Sequence, residues 1–534
     1  MTAAGLSYWG WGHSHKFPSN EVREGIGTQV AHMLGIIPSM RLTLPSIDKV
    51  TLPQPEISVP AELAAIAESS AEARITHTYG KNFRDQVRGF EGNFDNAPDF
   101  VVYPTNEDEV AQTLAWASRC SIAVIPFGGG TSVVSGVEPD VSSRYEGRIS
   151  LDLAKLDKVL EVDTTSRAAR IQAGAKGPQI EAQLSEHDLT LRHYPQSFEF
   201  STLGGWIATR AGGHFATVYT HIDDLVQSVR MVTPAGEFVT RRLPASGAGP
   251  QPERLVMGSE GALGVITEAW MRVFSRPLSR LQASVHFNGS FDNAVEAVRT
   301  IAQAGLYPTN CRLLSAEEAR LNFVTDDGSH VLILGFESND APRDEWMARA
   351  LLICTKFGGH CPRGVMRREG RDKADGGAGS AWKAAFLEAP YLQSVLISLG
   401  YVVDTFETAC TWDRFYSLHA AVTSAVTEAM NRECGGGRIS VRFTHVYPDG
   451  PAPYYTFIAP GKPGKQIAQW QVIKKAASDA LIDNGATITH HHAVGRLHRP
   501  WYDRERPPLF AAALRAAKRS MDPANVMNPG VLID

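Results

Sequence analysis

The chain has 534 residues, of which 43% are hydrophobic and 20% charged, with a formal net charge of −5 at pH 7. That length exceeds what one hydrophobic core supports, so two or three soluble domains are expected. The charge balance gives no global pull toward nucleic acid, and no apolar run is long enough to span a bilayer.

Residues 1–95 open with Tyr8-Trp-Gly-Trp-Gly12 and carry Pro45, Pro53, Pro55 and Pro60. Proline at that density argues against long regular elements and predicts an irregular or helical N-terminal wrap, its tryptophans buried against a neighbouring domain. Thr78–Arg88 reads either as a solvated helix or as a segment closing a ligand site. Residues 96–276 alternate strands and helices, which indicates α/β or α+β layering. The strands are Asp99–Tyr103, Ile122–Ile125, Ile149–Leu153 and Ala168–Ala173. The helices are Glu107–Ser118, after a Thr-Asn start suited to capping, and Gln179–His187.

Residues 277–485 read as a second α+β domain on an antiparallel sheet. Its strands are Leu281–Phe287, Arg312–Leu314, Val331–Phe336, Ile439–Tyr447 and Tyr454–Ile458, with a turn at Pro448–Gly450 between the last two. Its helices are Ala294–Gly305, Trp346–Phe357, Thr411–Glu433 and Gln466–Asn484, the last stopped by Gly485. Arg363–Gly379 has no clean period and reads as a loop or lid edge. Residues 486–534 place an apolar strand, Ala486–Thr489, before His490-His491-His492, and end on a helix, Leu509–Ser520. Cys120, Cys311, Cys354, Cys361, Cys410 and Cys434 form no C-x-x-C pair, so inert thiols in a reducing compartment are expected. Neither a secretory signal nor a C-terminal S-K-L is present, so the expected location is cytoplasmic.

Three Gly/Ser/Thr-rich stretches lie within one domain's length. The first, Ile125–Gly136, reads I-P-F-G-G-G-T-S-V-V-S-G. Gly128, Gly129 and Gly130 leave their backbone free to turn and their N–H groups free to approach a ligand, and Thr131 and Ser132 add hydroxyls. This is a cradle for a pyrophosphate or an ordinary tight turn. It is neither the G-x-G-x-x-G fingerprint nor a Walker loop. The second, Pro195–Thr209, reads P-Q-S-F-E-F-S-T-L-G-G-W-I-A-T, and the third, Met257–Glu268, reads M-G-S-E-G-A-L-G-V-I-T-E.

Three kinds of residue could carry chemistry. Adjacent histidines cannot all face one way, so 490–492 make a poor three-ligand metal site, and no metal is expected; two could enter one cavity with the middle one elsewhere. Histidine exchanges protons near neutral pH with little tuning. Tyr454 and Tyr455 point to opposite faces of a strand, one toward the core and the other free to place its phenol in a cavity. Arg312 interrupts an apolar strand. It either needs an anionic partner, a ligand phosphate or a buried carboxylate, or faces the surface.

The three loops resemble the FAD-binding domain of the vanillyl-alcohol-oxidase flavoprotein superfamily, in which the cofactor lies extended between two α+β subdomains of PCMH type. Over nearly its full length the chain resembles the alkyldihydroxyacetonephosphate synthase family. The matching pieces are W-G-W-G, P-F-G-G-G-T-S-V, S-F-E-F-S-T-L-G-G-W-I-A-T-R-A, I-D-D-L-V, M-V-T-P-A-G, M-G-S-E-G-A-L-G-V-I-T-E-A, the Arg312 strand, F-E-T at Phe406–Thr408 with Trp412-Asp-Arg414, H-V-Y at His445–Tyr447, and H-H-H-A-V-G-R. The resemblance implies non-covalent FAD. Its contacts would be Pro126, Gly128, Gly129, Gly130, Thr131 and Ser132, then Pro195, Ser197, Ser201, Thr202, Gly204, Gly205, Ala208 and Thr209, then Glu260, Gly261, Gly264, Val265 and Ile266. It implies exchange of the acyl group of an acyl-dihydroxyacetone phosphate for a fatty alcohol through a flavin N5 adduct, a step of ether lipid synthesis. An FAD-linked oxidoreductase acting on a hydroxy acid or alcohol is the alternative. Tyr454 would be the acid–base phenol, His490–His492 would orient and protonate the departing carboxylate, and Arg312 would sit by the flavin and substrate phosphate. Gln393, followed by Ser394, stands where the family has an arginine, and cannot supply that charge. A lipid-like substrate leaves a peripheral membrane contact and a homodimer open.

Overall fold

The computed structural model describes residues 6–38, 40–43, 46–215, 217, 219–370 and 391–534. It is an α+β architecture built on three principal sheets. The first has four strands in the order Ala67–Glu68, Phe100–Val102, Gly147–Asp152, Ile122–Phe127, the last three parallel. Ile122–Ile125 is buried on both faces, as a parallel strand between layers must be. Helix Glu107–Cys120 packs on it and starts where the Asn106 side chain accepts from Glu109 N–H. The second sheet is antiparallel, in the order Val159–Asp163, Ala168–Gln172, Val265–Arg272, Val226–Thr233, Gly236–Val239. One core cluster spans these two sheets, joining Val124 and Ile149 to Ile171 and Met231.

The third sheet is antiparallel and has eight strands. Its main order is Gly359–His360, Ser279–Phe287, His330–Ser338, Asn310–Leu314, Arg438–Val446, Pro451–Pro460, Tyr401–Glu407, with Met366–Glu369 beside Ser279–Phe287. Strand Ser279–Phe287 alternates buried and half-buried residues, the period-2 pattern of a sheet covered on one face by helices. Leu281, Ala283, Val285 and Phe287 pack against helix Phe291–Gln303 and helix Asp344–Lys356. Helices Trp412–Cys434 and Gln466–Asp483 cover the same face farther along, burying Leu418, Val422, Trp470 and Ile473.

Several expectations need correction. The N-terminal segment contains a 15-residue helix, Asn20–Leu34, with a Ser19 cap accepting from Val22 N–H and Gly35 in the left-handed region at φ 62°. Pro18 and Pro38 flank it, so proline bounds that helix rather than preventing it. Met366–Glu369 is a strand, not loop; residues 371–379 of the expected lid edge lie outside the described residues. Ala486–Thr489 is not a strand, because its backbone bonds go to Glu505 and to Ala409 instead of a ladder.

Candidate active site

A cleft partly open to solvent separates the loops of the first two sheets from the uncovered face of the third. Pro126, Gly128–Ser132, Pro195, Ser197, Ser201, Thr202, Gly204, Gly205, Ala208, Thr209, Glu260, Gly261, Gly264, Val265 and Ile266 all line it. The three stretches are therefore one wall. Their glycines are required first by packing. A Cβ on Gly129 would lie 2.0 Å from the Phe200 carbonyl oxygen, and one on Gly128 2.3 Å from Thr202 Oγ1. The second stretch thus stacks directly on the first. Some hydroxyls expected to face a ligand are already engaged. Ser132 Oγ accepts from Gly136 N–H at 2.9 Å, and Ser201 Oγ accepts from Trp206 Nε1 at 2.7 Å. The Glu260 carboxylate ends on the amides of Val494 and Gly495, at 2.9 and 2.7 Å, and burial raises its pKa to about 7 against those two bonds. It ties the C-terminal segment to the wall, as does Asn528, whose Nδ2 donates to the Glu260 and Gly136 carbonyls.

The opposite wall follows from sheet register. Tyr454 sits directly across from Arg442 on one side and Glu407 on the other, and Arg442 sits across from Leu314. Residues opposite one another share a face, as do residues two apart, so Arg312, Arg442, Tyr454 and Glu407 form one row. Tyr455 points the other way into the core, stacked on Phe406 and bonded to His419. The Arg442 guanidinium lies 3.9 Å from the Tyr454 ring centroid and is paired to buried Glu318 at 2.5 Å. Arg312 is fully buried and donates to the His214 carbonyl at 3.5 Å. Burial and then the nearby Arg442 bring its pKa down to about 9, opposed by Glu318 and Tyr454. The Tyr454 hydroxyl donates to Thr405 Oγ1 at 2.9 Å. Burial raises its pKa despite Arg442 and Thr405, so it stands as a proton donor rather than a phenolate. The cation beside it is Arg442, not a histidine.

Residues 490–492 form a bend wrapped around Glu407. That buried carboxylate accepts from the amides of His490, His491 and His492 at 2.5, 3.1 and 2.9 Å, and from the Thr489 hydroxyl at 2.5 Å. Burial alone would raise the Glu407 pKa; the adjacent imidazoles and Thr489 hold it well below the usual carboxylate range. His491 and His492 line the cleft and His490 does not. The expectation that the middle histidine turns away is wrong, because a bend pinned by three successive amides does not alternate like a strand. His490 is instead 2.8 Å from the Tyr447 hydroxyl and 3.1 Å from His221. Burial lowers His491 and His492 to about 3 and about 4, so both are neutral at pH 7 and their 3.6 and 3.7 Å approaches to Glu407 are not ion pairs.

Gln393 lines the cleft as a neutral hub. Its Oε1 accepts from Trp11 Nε1 and Gln86 Nε2, and its Nε2 donates to Asp404 and to the Val403 carbonyl, all at 3.2–3.3 Å. Sequence reasoning missed Arg442, Glu318, Glu407, His445 and Trp11 as wall or supporting residues. Arg442 carried the same signal as Arg312, an arginine within an apolar strand. Glu407 and His445 sat inside F-E-T and H-V-Y but were given no role.

Residues 98–241 match the FAD binding domain family, and residues 277–532 match the C-terminal domain of FAD linked oxidases. The cradle fits such a cofactor: the amides of Gly129, Gly130, Thr131 and Ser132 line the cleft and donate to no acceptor among the described residues. The fold and site thus define an FAD-dependent enzyme of the FAD-linked oxidase type. An alkyldihydroxyacetonephosphate synthase of Dictyostelium discoideum is 33% identical over 495 residues, covering 86% of this chain and 77% of the relative. One from Trypanosoma brucei brucei is 31% identical, covering 87% and 78%. A solved structure of alkyldihydroxyacetonephosphate synthase superposes with a TM-score of 0.80 at 26% identity, covering 98% of each chain. The chain belongs to the alkyldihydroxyacetonephosphate synthase family. Among the described residues no helix is long and apolar enough to cross a membrane.

Proposed function

We propose that this enzyme exchanges the acyl group of an acyl-dihydroxyacetone phosphate for a long-chain alcohol, forming an ether and releasing a fatty acid. The observation that carries this reading is the row Arg312–Arg442–Tyr454 continuing to the Glu407-pinned histidines, on the wall facing the glycine-rich loops. Bound FAD, held by residues 126–132, 195–209 and 260–266, would supply an electron-rich ring able to activate the substrate carbon. Arg312 and Arg442, the latter paired to Glu318, place two guanidiniums on the cleft wall where a phosphate could meet them. Tyr454 keeps its proton and can give it to an oxygen or carbon in the cleft. Neutral His491 and His492 can each accept one. Leu392, Leu396 and Val403 give the same cleft an apolar stretch suited to an alkyl chain.

The test is product analysis. Purified flavoprotein mixed with palmitoyl-dihydroxyacetone phosphate and hexadecanol should yield ether product and an equal amount of palmitate, with no reduction of an added dye. Dye reduction driven by a hydroxy acid, with no ether formed, would move the enzyme to the oxidoreductase class.

A further inference from the structure

We propose that the Arg210 carbonyl sets the tautomers of three successive imidazoles, His221, His490 and His491, so that His491 presents a bare Nε2 to the cleft. His221 and His490 are then positioning residues for the exchange reaction proposed above, on which the kinetic part of this inference rests. His221 comes from the loop before strand Val226–Thr233, far in sequence from the histidine bend, and lies at the solvent edge of the cluster.

The argument starts at the fixed end. His221 Nδ1 is 3.1 Å from the Arg210 carbonyl oxygen. A carbonyl only accepts, so Nδ1 carries the proton. Burial lowers the His221 pKa below its ordinary value, so the ring is neutral and its Nε2 is bare. That Nε2 is 3.1 Å from His490 Nε2. Two bare nitrogens at this distance repel, so His490 Nε2 carries a proton. The Tyr447 oxygen, 2.8 Å away, can share that proton, which leaves its own O–H free to bond Thr220 Oγ1 at 3.1 Å, a pair in which either oxygen can donate. Burial, reinforced by the neighbouring His445 and His221, holds His490 well below its usual pKa, so its Nδ1 is bare. It lies 3.0 Å from His491 Nδ1, which must therefore donate to it. Neutral His491 then has no proton on Nε2.

A second, independent contact agrees. His491 Nδ1 also faces Glu407 Oε2 at 3.6 Å. A permanently charged carboxylate favours an N–H there and repels a lone pair. The relay from Arg210 and the carboxylate of Glu407 thus demand the same tautomer from opposite ends. A proton accepted at Nε2, when the alcohol O–H bond breaks and an N–H bond forms, creates an imidazolium whose Nδ1–H already faces Glu407. This is the relation that orients and supports the base in other histidine–carboxylate pairs.

Two substitutions separate tautomer control from a proton wire. His221→Gln keeps an acceptor, its amide oxygen, for His490 Nε2–H but cannot pass a proton through. His221→Phe keeps bulk and removes the acceptor. The expected result is a fall in kcat of about 10²-fold for His221→Phe with little change in KM, and restoration of most of that loss by His221→Gln. Equal losses in both, or no loss in His221→Phe, would overturn the proposal. Flavin absorbance reports whether each variant holds its fold. The second measurement needs no substrate and decides the tautomers even if His221→Phe fails to fold or the proposed lipid is not turned over. In [15N]histidine-labelled holoenzyme, with His491→Gln identifying the signal, His491 should show a protonated Nδ1 and a bare Nε2. The reverse assignment would overturn the proposal.

Discussion

Glu407→Gln removes one charge and no volume, yet it should be among the more damaging single changes in the chain. The carboxylate takes four donors, the amides of His490, His491 and His492 and the Thr489 hydroxyl. A carboxamide offers one acceptor oxygen, and its NH2 must face an N–H or O–H that previously donated. At least one donor is left unsatisfied and the rest lose their charge assistance. At about 1.5–3 kcal/mol for a hydrogen bond to a charged group, the one donor left unsatisfied and the weakening of the other three together cost roughly 3–5 kcal/mol. That is the range expected for removing one partner of a buried charged arrangement. The cradle lies on the other wall, so flavin should remain bound while the bend loses its position. Purified E407Q should stay yellow, melt at a clearly lower temperature and lose turnover by about 10²-fold or more. If it melts and turns over like the parent, Glu407 does not organise the histidines.

Tyr454→Phe keeps the ring and its contact with Arg442 but loses the hydroxyl bonded to Thr405; flavin content should persist and turnover should fall 10²–10⁴-fold, and normal turnover would exclude Tyr454 from proton transfer. Arg312→Lys replaces a group already lowered to about 9 by burial and Arg442; the same burial should bring a lysine to near pH 7, so substrate KM should rise with pH above neutrality, and a pH-independent KM would show that Arg312 meets no anion. His491, His492 and His498 have folded pKa values of about 3, 4 and 4, below the unfolded value near 6.5; the unfolded chain therefore binds more protons, and stability should fall as pH drops below about 6.5, by up to about 1.4 kcal/mol per pH unit for each, with Glu407 adding its own loss only below about pH 4.3. Denaturant titrations at pH 7, 6 and 5 measure this, and a flat profile would refute neutral buried histidines. Gly129→Ala adds no charge, yet its Cβ would lie 2.0 Å from the Phe200 oxygen; flavin binding should be lost, and an alanine variant with full flavin would show that the loops do not stack this closely.

What the sequence disclosed was whatever repeats along the chain. Period-2 burial marked Leu281–Phe287, helical spacing marked Glu107–Ser118, and runs of glycine marked the cradle. All of these depend on neighbours within a few residues. The strand Tyr401–Glu407 escaped because it is buried on nearly every residue and so shows no alternation. The helix Asn20–Leu34 escaped because proline count was read over too long a window. Gly129 was identified for the right loop but for an incomplete reason, since the atom it makes room for is protein backbone.

The catalytic wall was less legible because its electrostatics depend on register. Tyr454 could be read as facing a cavity, but nothing in P-Y-Y-T says that Arg442 lies across one ladder and Glu407 across the next. That register reverses the chemistry assigned to the groups. Histidines beside a tyrosine suggest cations lowering a phenol. Here burial keeps His491 and His492 neutral, and the charged partners on this wall are the Arg442–Glu318 ion pair, Arg312 and Glu407. A site with fixed charges around neutral, exchangeable groups can move protons among Tyr454, His491 and His492 without rearranging its supports, because the ionised groups are held by hydrogen bonds that the proton transfers leave in place. The same logic explains why the bend takes three amides to one carboxylate: backbone N–H groups hold Glu407 whatever protons the rings carry, so the rings remain free for chemistry.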